Sequence, residues 1–195
     1  MKILCSDLEG TLAPEIWQEI SNEFNIPELR YTTREISDFD ELMDTRMRAL
    51  KSNTISFKEI KNFVKTIKPF EGAKNFLSSL KEKYQIVIVS DTFYELALPV
   101  VDKLGGYPIL CHHLDIKNNY ISSYKKRQDL PKKQVVKGFA SMNFECFCIG
   151  DSHNDIQMIE ESEGALIFAP EEIKSSYPDI MSFTNYNDLQ DFLLK

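Results

Sequence analysis

The sequence predicts an α/β fold: a doubly wound, Rossmann-like parallel-sheet core with a small helical cap inserted after the first strand. Three observations predict it. From residue 73 onward, short apolar runs alternate with segments of helical period, the pattern of βα units that assemble a parallel sheet. Ahead of that series, residues 14–69 carry helical periodicity with no convincing strand. Three of the predicted strands end in polar, carboxylate-rich residues, and the ligand crevice of an open α/β sheet lies at such carboxyl ends. Residues 1–13 and 70–195 are therefore assigned to the core and 14–69 to the cap, with no repeat, low-complexity tract or linker between them.

Met1 to Asp7 reads as a short buried strand on Ile3, Leu4 and Cys5, closing on the turn Asp7-Leu8-Glu9-Gly10-Thr11. In the cap, Ile16, Trp17, Ile20 and Phe24 share one helical face; so do Leu42, Met43, Met47 and Leu50, and then Ile60, Phe63, Val64 and Ile67. Ser56 with Glu59 forms a capping-box pattern opening the last of these helices, and Lys68-Pro69 closes it. The core series then runs helix 73–83, strand 85–89, helix 94–104 and a short strand near Ile109-Leu110. A hairpin over 115–124 turns about Asn118-Asn119. Helix 132–142, strand 145–149, helix 155–161, strand 165–168 and a closing helix 187–194 complete it.

Composition excludes several classes. In 195 residues, 23 Lys and Arg against 30 Asp and Glu leave a net charge of −7, so a nucleic-acid partner is not expected, because such affinity comes mostly from clustered cations. With 43% hydrophobic and 27% charged residues the chain is an ordinary globular protein. Its longest apolar stretches, such as Leu96 to Val101, fall far short of the ~20 residues of a membrane span. Near the N-terminus only Ile3-Leu4-Cys5 stands between Lys2 and the acids Asp7 and Glu9, too little for an export signal, which places the protein in the cytoplasm. Cys5, Cys111, Cys146 and Cys148 lack disulfide or zinc spacing and read as small reduced core residues; His112-His113 reads as a turn or strand-end pair. The sequence carries no signature of oligomeric state.

The polar strand ends carry the chemistry. They are Asp7 and Glu9, then Ser90-Asp91-Thr92, then Gly150-Asp151-Ser152-His153-Asn154-Asp155. Two of only seven glycines, Gly10 and Gly150, fall in these segments. If the segments converge, Asp7, Glu9, Asp91, Asp151 and Asp155 crowd one crevice, which like-charge repulsion forbids unless protons or cations intervene. A hard divalent cation such as Mg²⁺ resolves this and suits phosphate chemistry. A carboxylate attacking phosphorus then needs an acid for the leaving alkoxide, and Glu9 is placed for it. Ser90 and a lysine at Lys132-Lys133 are candidates to hold the phosphoryl oxygens.

Asp7-Leu8-Glu9-Gly10-Thr11, Ser90-Asp91, Lys132 and Gly150-Asp151-x-x-Asn154-Asp155 resemble, in order and spacing, the four motifs of the haloacid-dehalogenase-like phosphatases. The helical insertion resembles the cap of phosphoserine phosphatases, and the bifunctional subgroup that also passes the phosphoryl group to homoserine is similar over nearly the whole chain. Residues 7–17, 32–43, 46–50, 90–95, 110–112, 131–132 and 150–155 carry that similarity. The resemblance implies O-phospho-L-serine as small-molecule substrate, with homoserine as a further acceptor. It implies Asp7 as nucleophile, Glu9 as acid then base, and Mg²⁺ on Asp7, the Glu9 backbone carbonyl and Asp151. Ser90, the Asp91 amide and Lys132 would hold phosphoryl oxygens, and Asp155 would orient the lysine or a metal-coordinated water. Glu15 would meet the substrate ammonium and Arg46 its carboxylate, with Asn154 nearby. Glu9 replaces the Asp of most family members, a departure the bifunctional subgroup shares.

Two other readings of the same residues are a phosphatase of another small phosphomonoester and, outside enzymes, a receiver-like signalling or binding protein with a phosphorylated Asp. The receiver is poorly matched by the helical insertion and by an acid two residues after the nucleophile.

Overall fold

The computed structural model describes residues 1–32 and 35–195; Thr33 and Arg34, within the 32–43 stretch above, lie outside the described residues. A seven-stranded sheet in the order β4-β3-β2-β1-β5-β6-β7 organises the chain. Its strands are β1 (Lys2–Ser6), β2 (Gln85–Phe93), β3 (Ile109–Lys117), β4 (Tyr120–Lys125), β5 (Glu145–Gly150), β6 (Glu163–Ile167) and β7 (Met181–Phe183). All pairings are parallel except β3 with β4. β1 lies between β2 and β5, so the chain winds outward both ways from it and the crevice opens at the carboxyl ends of these three strands.

Alternation along the strands splits the core into two layers. Leu4, Ile86, Ile88, Phe147 and Ile149 join one cluster. α4 (Ala73–Leu80), α5 (Tyr94–Leu104) and α9 (Tyr186–Leu194) add Phe76, Leu77, Leu96, Val100, Leu189 and Leu193 to it. Ile3, Cys5, Val87, Val89 and Cys148 point the other way. They meet Val135 and Val136 of α6 (Pro131–Ser141), Ile156 of α7 (His153–Ile159) and Ile173 of α8 (Glu171–Ser176). Burying each large side chain contributes roughly 1.5–3 kcal/mol.

Between β1 and α4 lie α1 (Ile16–Phe24), a 3₁₀ turn (Pro27–Arg30), α2 (Phe39–Ser52) and α3 (Phe57–Val64). α1 ends at Asn25, left-handed at φ 53°; α2 is capped by the Asp38 carboxylate accepting from the Glu41 N–H; and α3 opens with the reciprocal Ser56–Glu59 capping box. These helices pack on the core through apolar residues of one shared cluster and through two polar contact points. The Asn119 carbonyl and side chain accept from Phe57 and Lys58 at the start of α3. At the start of α2, Phe39 meets His112 and Tyr124 edge-on, while Asp40 pairs with Lys126 at 2.7 Å and accepts from the Tyr124 hydroxyl.

Several elements depart from the sequence reading. β2 runs on to Phe93 through an irregular register, and β3 extends through Cys111, His112 and His113 because the hairpin with β4 supplies its second edge. The turn at Asn118-Asn119, both at positive φ, forms where expected. The histidines are therefore mid-strand: His112 is buried between Phe39 and Phe93 and accepts from the Arg127 N–H, and His113 meets Glu95 at 3.2 Å. α7 begins two residues early, and the 3₁₀ turn, α8 and β7, six residues or fewer each, carry too little periodicity to be read. All four cysteines are free, with Cys146 only half-buried. Among the described residues, no helix is long and apolar enough to cross a membrane.

Candidate active site

Each strand end at the crevice is shaped by a local feature of the sequence. Asp7 leaves β1 with its N–H on the Ile149 carbonyl at 2.9 Å, so β1 and β5 end level. The chain then folds back: Leu12 and Ala13 N–H groups bond the Leu8 carbonyl, and Gly10 N–H bonds the Ala13 carbonyl. Gly10 has φ 79°, and a Cβ there would lie 2.5 Å from the Asp151 carboxylate. A Cβ on Gly150 would meet the Asp155 side chain at 2.1 Å. The two motif glycines thus let two carboxylates approach the backbone.

Reciprocal bonding fixes the acids. Asp155, fully buried, lies in the first turn of α7: its Oδ2 accepts from the N–H groups of Asp151 and Ser152 at 3.0 Å and from the Ser152 hydroxyl at 2.9 Å. Its Oδ1 lies 2.6 Å from Lys132 Nζ, which is also 2.9 Å from Asp7 Oδ1. Asp151 accepts from the Thr11 hydroxyl at 3.2 Å. Burial and the neighbouring Asp155 hold the Asp7 carboxyl well above the usual range, against the pull of Lys132. Burial and Asp155 push Asp151 up to about 7. Burial alone would lower the Lys132 ammonium, but Asp155, Asp7 and Asp91 outweigh it and hold it well above its ordinary value. Lys133 instead points away, paired with Glu161 at 2.7 Å.

The facing wall comes from the inserted helices. Glu9 Oε1 accepts from the Ile16 N–H at the start of α1, 2.7 Å away. Burial and the charge of Glu15 push Glu9 up to about 7, opposed by that N–H, Arg46 and the Thr92 hydroxyl. A carboxyl poised near neutrality can give a proton and take one back. Arg46, on α2, is buried; its guanidinium lies 4.8 Å from the Trp17 ring centre and donates to the Tyr31 carbonyl at 2.7 Å. Burial lowers it to about 10, with Glu9 and Glu15 acting the other way.

These walls enclose a cavity of about 580 Å³ lined by every candidate site residue except Asp155, which lies behind Lys132 and Asp151. Ser90 is buried, Asp91 half-buried, and Asn154 lies 3.5 Å from Asp91 at the exposed rim. The sequence places Thr92 in a converging strand end without giving it a role, and it gives no sign of Trp17 and Phe168 as lining residues. On the apolar stripe of α1, Trp17 reads as one more core residue. Thr92 adjoined a motif, a signal that was available. Phe168, left-handed at φ 57°, follows β6 at the same sheet edge.

The donor set suits a hard divalent cation. Oxygen atoms of Asp7, Asp151 and Asp155 lie within 4.8 Å of one another. Because both Asp155 oxygens are engaged by protein donors, Asp7 and Asp151 have the greater capacity for a cation. Next to them are the buried Ser90 hydroxyl and Lys132 ammonium, suited to an anion's oxygens. The arrangement can attack, charge-balance and protonate a small phosphate ester.

Comparison with known proteins agrees. A family model described as haloacid dehalogenase-like hydrolase matches residues 1–162. The chain is 40% identical over 197 residues to the phosphoserine phosphatase ThrH of Pseudomonas aeruginosa, covering 100% of this chain and 96% of that protein. It is 38% identical to a phosphoserine phosphatase of Pseudomonas syringae pv. tomato, covering 100% and 83%. Among solved structures, a phosphoserine phosphatase in apo form superposes with a TM-score of 0.80 at 21% identity, covering 99% of this chain and 98% of the other. A substrate-bound phosphoserine phosphatase complex superposes at 0.78 and 19%, covering 98% of each. At such identities these structures speak for the fold.

Proposed function

The chain belongs to the haloacid dehalogenase-like hydrolases, and from that premise we propose that it hydrolyses O-phospho-L-serine in the cytosol through a phosphorylated Asp7, with homoserine as a second acceptor beside water. The observation that carries the reading is the facing of two unlike walls: an acid-lysine network on the core and a buried arginine on the inserted helices, which act as a cap. The relatives named for phosphoserine support the substrate.

In this mechanism the Ser90 hydroxyl, the Asp91 N–H and Lys132 hold the phosphoryl oxygens. Asp7, Asp151 and the Glu9 carbonyl would hold Mg²⁺, which supplies positive charge against the phosphoryl oxygens and the crowded carboxylates. An Asp7 oxygen attacks phosphorus, the bond to the serine Oγ breaks, and Glu9 delivers its proton to that oxygen. Glu9, now a carboxylate, takes a proton from water or from the homoserine hydroxyl as that oxygen attacks the phosphorus of phospho-Asp7; the bond between phosphorus and the Asp7 oxygen breaks, and Asp7 returns as a carboxylate. Asp155 orients Lys132, whose charge also balances Asp7. Glu15 meets the ammonium of the substrate and Arg46 its carboxylate, with Asn154 at the rim; the cap excludes bulk water.

The test is a panel of phosphomonoesters with Mg²⁺, run with and without homoserine, beside Asp7→Asn. Turnover should be greatest for O-phospho-L-serine, phosphohomoserine should form when homoserine is present, and Asp7→Asn should be inactive. Wild-type activity in Asp7→Asn would overturn the mechanism; preference for an ester without a carboxylate would overturn the substrate.

A further inference from the structure

We propose that Trp17 is a positioning residue that makes the site selective for a carboxylate-bearing substrate, by holding Arg46 at a fixed distance from the phosphoryl-binding end of β2. The inference rests on the phosphoserine reading and deepens it.

Arg46 is only 7% exposed, and among the described residues it makes no carboxylate ion pair. The Glu9 and Glu15 carboxylates oppose the cost of burying it only from beyond ion-pair distance, and a buried charge without a directly paired counter-ion is strongly disfavoured, so other contacts must hold it in place. Two of its nitrogens find acceptors in the Tyr31 carbonyl at 2.7 Å and the Met43 sulfur at 3.7 Å, and its buried Nε has no hydrogen-bond partner among the described residues. The other support is the Trp17 ring, with the guanidinium carbon 4.8 Å from its centre. Tryptophan is the strongest aromatic partner for a cation, more so when desolvated.

Trp17 is fixed in turn. It is 4% exposed on the buried face of α1 and packs edge-on against Phe93, ring centres 6.3 Å apart. Its Nε1 has no hydrogen-bond partner among the described residues, so ring packing rather than a polar contact sets its place. Phe93 ends β2, directly after Ser90, Asp91 and Thr92. The stack Arg46-Trp17-Phe93 therefore links the residue that meets a carboxylate to the strand end that meets a phosphoryl group. A substrate carrying both groups is gauged by that span, whereas one with only a phosphate has no use for it. An ordinary core tryptophan would offer both faces to apolar neighbours; here one is given to a cation.

Trp17 is the single tryptophan in the chain, so intrinsic fluorescence reports on this position alone. L-serine and ethanolamine differ only in the carboxylate. Titrating wild-type protein with L-serine should change the emission saturably as Arg46 takes a counter-ion, and ethanolamine should not. In kinetics, Trp17→Leu should raise KM for O-phospho-L-serine ~10-fold relative to O-phosphoethanolamine with a much smaller change in kcat, and Trp17→Phe should recover part of the loss. Equal losses on both substrates, no loss, or an identical fluorescence response to both ligands would overturn the proposal. If Trp17→Leu fails to fold, the fluorescence titration and Trp17→Phe still decide. Arg46→Gln separates the two levels. If it leaves the preference for O-phospho-L-serine intact, the underlying carboxylate reading fails. If it abolishes the preference while Trp17→Leu keeps it, only the role of Trp17 fails.

Discussion

The acid-lysine cluster of the core wall and the Arg46–Trp17 pair of the cap wall treat their polar groups in opposite ways; the end of β2 sides with the cap, leaving Asp91 Oδ1 and Thr92 Oγ1 without a hydrogen-bond partner among the described residues. On the core, Asp155 has both oxygens engaged, Lys132 bridges Asp155 and Asp7, and Asp151 is held by Thr11. On the cap, among the described residues, Arg46 is buried with its Nε unpaired, and the Trp17 N–H has no acceptor. A reciprocal network fixes its geometry before any substrate arrives, which suits charge development common to every phosphate ester. Polar groups left unpaired in a buried wall await a ligand that completes them, which suits selection among esters.

The largest effect should come from breaking the core network. Lys132→Met removes the cation between two buried carboxylates and should lower kcat ~10³-fold on every phosphomonoester; a loss confined to phosphoserine would erase the distinction between the walls. Gly10→Ala places a Cβ 2.5 Å from the Asp151 carboxylate at φ 79°. Misplacing that acid should cost ~10²-fold in kcat, again for all substrates. On the cap, Arg46→Gln should raise KM for phosphoserine roughly 10- to 100-fold, from the loss of a charged hydrogen bond, while the kcat of a carboxylate-free ester changes little.

The Glu9 proton sharpens the contrast within one residue that faces both walls. With Glu9 raised to about 7, the proton needed by the serine leaving group is present below that pH and lost above it. Phosphoserine turnover should therefore fall several-fold on the alkaline side, through a limb that p-nitrophenyl phosphate, whose leaving group needs no acid, should lack. Steady-state pH profiles with the two substrates check this. The smallest effect lies outside the cavity: Ser56→Ala removes the capping box of α3 and should cost about 1 kcal/mol of stability, or roughly 2–4 °C in Tm, with specificity unchanged.

The same contrast governs what the sequence reveals. Asp7 and Asp151 directly follow β1 and β5, and Ser90 lies near the end of β2, all within short motifs; strand direction brings them together, so their convergence is readable from spacing. Trp17 was unreadable in its role because the face it gives to Arg46 exists only after α1 and α2 pack, and on α1 alone it is one apolar residue among four. The sheet was legible where strands are apolar runs. It was not where pairing rather than composition extends a strand, as at His112-His113, nor in the three-residue β7.

In the proposed mechanism chemistry at Asp7 is central to both walls, the core activating it and the cap delivering an ester to it. The most direct measurement is acid quenching of the enzyme during turnover of O-phospho-L-serine with Mg²⁺, followed by mass spectrometry of the peptide holding Asp7. A phosphoryl group on Asp7 that forms within one turnover, and is absent in Asp7→Asn, is the expected result. Full turnover with no phosphorylated Asp7 peptide at any quench time, together with activity in Asp7→Asn, would contradict it.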